Sequence, residues 1–157
     1  MTETFQIVSF VLLGALLCYA AVSDAQRRII PNWLTALIAL LAIPHWLGTG
    51  LPLWPGVALQ LALAAGVLVI FAGLFALGMM GGGDVKLLAA LALWLPLPRF
   101  VELIVIMSLA GGILTLAMVV RHRWQRRLGQ PEIPYGLAIV AAAAWAFSEP
   151  FFNHFGA

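Results

Sequence analysis

Long apolar runs without charge alternate along this chain with short segments that hold most of its ionisable groups. Thr4 to Ser23 contains no charged residue and predicts a first membrane span that ends at Asp24. Arg27 and Arg28 then mark a short polar loop before Pro31. Asn32 to about Trp46 predicts a second, shorter span, and Gly48 to Pro55 an uncharged turn punctuated by glycine and proline. Gly56 to about Leu77 is the third and longest. Between Gly78 and Gly83 the glycine density is too high for a regular helix interior, where each Gly costs about 1 kcal/mol relative to Ala, so the chain must bend or unwind there. Val85 to about Leu97 predicts a fourth span, short for a full crossing. Phe100 to Val120 predicts a fifth and Ile133 to about Phe152 a sixth, with an Arg-rich linker from Arg121 to Glu132 between them. Pro134 and Gly136 interrupt the sixth near its start.

Composition turns these runs into a class. Hydrophobic residues make up 64% of the chain and charged residues 9%, with a mean hydropathy of +1.06, whereas soluble domains are about a quarter charged. The pattern predicts an all-α polytopic membrane protein of six transmembrane helices, forming a single transmembrane domain over residues 1–157. Cys18 is the only cysteine, so neither an intrachain disulfide nor a cysteine-based zinc site can form. The amino-terminal Met-Thr-Glu-Thr lacks Lys and Arg, which predicts a retained first span rather than a cleaved leader. A net charge of +2 with basic residues gathered in loops argues against a nucleic-acid partner and for topology signals. Arg27, Arg28, Lys86, Arg121, Arg123, Arg126 and Arg127 fall on one side of the six spans and Arg99 on the other. The positive-inside rule then places both termini on the non-cytoplasmic side and brings Asp24 and Asp84 to the cytoplasmic face. Trp33, Trp46, Trp54, Trp94 and Trp124 lie near span ends, as in an interfacial aromatic belt. His45, His122 and His154 are scattered, with no metal-ligand spacing.

Asp24 and Asp84 are the only aspartates. An ionisable group near the bilayer is costly and is a functional candidate by default. Two carboxylates can hydrolyse a peptide bond if one, ionised, activates water while the other, protonated, donates to the carbonyl oxygen, and close approach of like charges enforces that division. Gly81, Gly82 and Gly83 before Asp84 would let an extended backbone approach closely. Other readings stay open on residue chemistry alone: Asp84 as a helix N-cap, Asp24 as an interfacial anchor, or both as carboxylates of a proton relay.

The segment Gly81-Gly82-Gly83-Asp84-Val85-Lys86 resembles the GxGD signature of intramembrane aspartyl proteases, followed by the lysine of the type IV prepilin peptidase family. Asp24 with Ile30-Pro31-Asn32 downstream is similar to that family's first catalytic aspartate and its IPN. Pro131 to Leu137, PEIPYGL, resembles its third recurrent element. The resemblance implies Asp24 and Asp84 as the catalytic pair of an endopeptidase in the bacterial inner membrane. It would remove the leader of prepilin or pseudopilin substrates at the cytoplasmic face, in contact with membrane lipid, and would need no metal or other cofactor. Gly81 and Gly83 would support the site, and Pro134, Tyr135 and Gly136 would shape the opening for substrate. Lys86, two positions from Asp84 and so turned away from it, would contact substrate or lipid headgroups. Asn32 would cap the second helix or hydrogen-bond near Asp24. The few-residue first loop and lone cysteine resemble the short branch serving Flp-type, tight-adherence pili, without N-methyltransferase activity. The competing functions are a proton-coupled transporter or channel subunit and a non-catalytic secretion-assembly subunit. A presenilin-like protease would share GxGD but not IPN or PEIPYGL.

Overall fold

The computed structural model describes residues 2–124 and 135–155, and its regular structure among them is helical. Six α-helices follow in chain order: α1 (Thr2–Arg27), α2 (Asn32–Thr49), α3 (Ala58–Ala76), α4 (Gly82–Ala92), α5 (Leu97–Trp124) and α6 (Tyr135–Phe155), with one π turn at Leu53–Val57 leading into α3. Several boundaries differ from the sequence expectation. Helix α1 continues through Asp24 to Arg27, so this aspartate lies in a helical last turn rather than in the loop. Helix α4 begins at Gly82, not Val85, because Gly81 in extended conformation serves as its N-cap and the next two glycines need only occupy a first turn. Helix α5 begins at Leu97 with Pro98 near its start, where a missing amide costs nothing. The linker residues 125–134, including Pro134, Arg126 and Arg127, lie outside the described residues.

Among the described residues, three helical stretches are long and apolar enough to cross a membrane: Phe5–Arg27, Leu53–Ala76 and Leu97–Arg121. Their surfaces fit a lipid environment, since Leu53, Val69, Ile70 and Ile113 are widely exposed while Gln6, Ser9, Ser23, Asp24, Thr35 and Asp84 are buried. A chain with apolar groups outside and polar groups inside is matched to lipid rather than water. Helix α3 shows this most fully, burying only Val67 among its residues.

Helix α4 is the hub. It packs on α2, α3, α5 and α6, while α1 packs on α2 and α6. Seven of its residues are buried, among them Leu87, Leu88 and Leu91. At 11 residues it is about 16 Å long, roughly half a hydrocarbon core. Neighbouring helices supply what its length cannot. Side-chain ties fix the directions around it. Gln6 of α1 donates to the Gly48 carbonyl at the end of α2, so those two run antiparallel. The indole N–H of Trp94 donates to the Ile38 carbonyl and that of Trp46 to the Leu93 carbonyl, each at 2.9 Å, and since Lys86 and Asn32 are bonded at the starts of the same two helices, α4 runs alongside α2 in the same direction. Trp46 and Trp94 are thus internal fastenings rather than members of an interfacial belt, and Trp94 is 4% exposed. At this end Phe10, His45, Trp94 and Phe147 form an aromatic plug, with His45 stacked on Trp94 at 4.9 Å and Phe10 edge-on to His45 at 5.2 Å. The opposite end carries the two aspartates.

Candidate active site

Asp84 occupies the third position of α4. Gly81 is the N-cap, and the carboxylate reaches back to the Gly81 amide, which is the reciprocal half of a capping box. A Cβ on Gly81 would lie 2.9 Å from Asp84 Oδ2, so the return path needs a residue without a side chain. The N-cap reading of Asp84 is therefore corrected: the glycine caps, and the aspartate turns inward.

Asp24 is held by a different helix. The backbone amides of Gly136 and Leu137 face its carboxylate; these belong to the first turn of α6, whose amides have no partner within the helix. An acid at the end of α1 thereby satisfies the amino end of α6, a favourable charge–dipole placement. Gly136 touches it closely, since a Cβ there would stand 2.8 Å from Oδ2 and 2.9 Å from Cγ. Oδ2 has no hydrogen-bond partner among the described residues. Both carboxyl groups are buried, Asp24 at 6% and Asp84 at 7% exposure, and Asp24 is near enough for its charge to act on Asp84.

The loop after α1 joins the two. Arg28 takes a left-handed conformation with φ 56°, its amide closing back on the Asp24 carbonyl at 2.9 Å. Ser23 Oγ donates to the Ile29 carbonyl at 2.7 Å, pinning the turn. Ile30 is then laid against Gly83, where an added Cβ would meet the Ile30 Cβ at 3.0 Å and its carbonyl at 3.4 Å. Gly83 is thus a contact surface for the first loop. Pro31 is the N-cap of α2 and no side chain caps that end, so Asn32 does not cap. Its Oδ1 instead accepts from Lys86 Nζ at 2.8 Å, giving Lys86 a partner on α2. Tyr135 lies against Gly111 of α5.

Residues from all three motifs therefore meet at one end of the bundle: Asp24 and Ile30, Gly81 to Lys86, and Tyr135 to Leu137. Sequence reasoning missed the Ser23 tie and the Leu137 amide. Ser23 was adjacent to Asp24, but nothing in the sequence says where its hydroxyl turns. No metal-binding cluster of His, Cys, Asp or Glu occurs among the described residues.

The type IV leader peptidase family matches residues 11–116, which include both aspartates. The chain belongs to this family. It is 32% identical over 158 residues to prepilin leader peptidase/N-methyltransferases of Burkholderia pseudomallei, from strains 1026b and K96243, with 93% of this chain and 48% of each relative covered. It thus spans about half the length of the curated relatives it matches. No solved structure matches it.

Proposed function

We propose that this protein is an inner-membrane aspartyl endopeptidase that cuts the leader from prepilin-like proteins at the cytoplasmic face, with Asp24 and Asp84 as its catalytic pair. The observation that carries the reading is the convergence of two buried carboxylates, each oriented by backbone amides, at the end of the bundle where the three motifs meet. In this reading one carboxylate is ionised and draws a proton from water. The other, protonated, donates to the scissile carbonyl oxygen, and the pair exchanges these states as the tetrahedral intermediate collapses. The glycines before Asp84 suit an extended peptide, which is needed because a bond inside an intact helix is shielded.

Six spans with both termini non-cytoplasmic is the proposed topology, α4 crossing only part of the bilayer within the shelter of its neighbours. Residues 28–31 between α1 and α2 leave no room there for the cysteine-bearing region of bifunctional members. On that ground the chain is proposed to lack N-methyltransferase activity and to serve Flp-type pilins.

Co-expression with a Flp-type prepilin, followed by gel analysis and mapping of the new amino terminus, tests this. Asp24→Asn and Asp84→Asn are each expected to abolish processing with insertion and abundance retained. Complete processing by either variant overturns the assignment.

A further inference from the structure

Helices α3 and α5 both flank α4 but do not pack tightly on each other. Between them runs a groove of about 680 Å³. On the α5 side it is lined from Ile104 to Val119, a length of about 22 Å along the helix axis, or some two-thirds of a hydrocarbon core of about 30 Å. Its floor is unusually low. Gly112 has nothing within 4 Å of where a Cβ would stand, and Ser108 and Thr115 turn their hydroxyls back onto the Ile104 and Gly111 carbonyls of their own helix at 2.7 Å. The polar atoms are thus satisfied internally, and small side chains leave room for a helix backbone to come close, as at helix contacts within lipid.

Met79, Met80 and Tyr135 line the inner edge of the groove. Met80 directly precedes Gly81, the glycine to which Asp84 reaches back, and Tyr135 directly precedes Gly136, the glycine against which Asp24 lies. The groove therefore borders the neighbours of both carboxylates at once. Two other grooves do not. One, between α1 and α6, is bounded by Cys18 and Val140 on the site side and stops short of Asp24. The other, over α2, α3 and α4, ends on Lys86 and Asn32, on the face of α4 turned away from Asp84.

We propose that the groove between α3 and α5 seats the apolar helix of the prepilin, and that Met79, Met80 and Tyr135 hand its extended leader junction to the aspartates. The proposal rests on the peptidase reading above and adds the route by which substrate arrives. A single apolar helix is the occupant that fits: the walls are apolar and face lipid, as exposed Leu116 does, and a helix entering sideways from the bilayer keeps its own backbone hydrogen bonds. Methionines at the inner edge can adapt to substrates of differing side-chain shape.

The test uses the full chain in liposomes, carrying Cys18→Ala to remove the natural thiol and Asp84→Asn to hold substrate uncut. Gly112→Cys is added, or in separate preparations Ala144→Cys in the α1–α6 groove or Ala65→Cys in the α2–α3 groove. A prepilin with one cysteine midway along its apolar helix is expected to form a disulfide with the Gly112→Cys protein and not with the other two. Capture at either other groove, or at none, overturns the proposal. Capture of a photoactivatable phospholipid at position 112 that excess prepilin fails to displace also overturns it. In the otherwise native chain, Gly112→Leu fills open space and is expected to slow prepilin cleavage by about tenfold or more, with the unfolding temperature unchanged. Cleavage at the native rate overturns the proposal, whereas failure of the unmodified chain to cut prepilin at all removes the peptidase reading beneath it.

Discussion

Gly136 and Asp24 form the tightest side-chain-to-glycine approach of the site, and nothing larger than hydrogen fits between them. A methyl at position 136 would stand 2.8 Å from Oδ2 and 3.0 Å from Asp24 Cβ, and the Cβ, being fixed to the α1 backbone, cannot swing aside. Gly136→Ala is therefore expected to displace the carboxylate from the amides of α6 and to lower prepilin cleavage at least about tenfold, at a stability cost of about 1–3 kcal/mol. Cleavage kinetics beside abundance in the membrane check this, and a native rate would contradict the proposed role of Asp24. The two aspartates were legible because an apolar chain has few places to keep an acid, and each carried a recognisable neighbourhood. Asn32 was misread for an equally physical reason. Asn at a helix start favours capping, but Pro31 already holds the extended N-cap conformation, which leaves the amide to Lys86.

Among the elements, α4 shows how register substitutes for length. Asp84 and Lys86 sit two apart, about 200° around the helix, so one faces the carboxylate partner and the other crosses to α2. The Lys86–Asn32 bond at 2.8 Å ties the helix bearing one aspartate to the segment following the other. Lys86→Met and Asn32→Ala are each expected to slow cleavage a few-fold. The double variant should be little worse than either single one, a coupling of about 1 kcal/mol or less for a bond this exposed. Effects that multiply in the double-mutant cycle would return Lys86 to an independent contact with lipid or substrate. The start of α4 was placed three residues late because glycine propensity applies to helix interiors. In a first turn, with Ile30 pressed against Gly83, the same residues are required for closeness.

At the scale of the whole molecule, the two buried aspartates sit at one end and the aromatic fastening at the other. Trp94 stacks on His45 and donates to Ile38, so it joins α4 to α2 at the far end while Lys86 does so near the site. Trp94→Ala is expected to cost about 3–5 kcal/mol, seen as a lowered unfolding temperature in detergent; an unchanged temperature would deny the plug its structural role. The proposed topology has its own check. With Cys18 replaced by Ala, Leu53→Cys should react with an impermeant thiol reagent added outside the inner membrane, and Ile29→Cys only after the membrane is opened. Both side chains are exposed, and reaction of Ile29→Cys from outside would invert the arrangement.

Helical class and membrane character were determined by the sequence alone, and the two candidate acids were singled out by it, since these follow from apolar run length, scarcity of charge and short local motifs. Which surfaces those motifs would share was decided only by the tertiary structure. Asp24 lies 112 positions from the Gly136 amide that faces it, and no periodicity encodes so distant a partner. Burial of a short central helix, the inward turn of two tryptophans and the empty groove beside α5 likewise depend on how helices are placed around one another. In lipid that placement is chosen by close packing and internal hydrogen bonds, which the hydropathy pattern does not record.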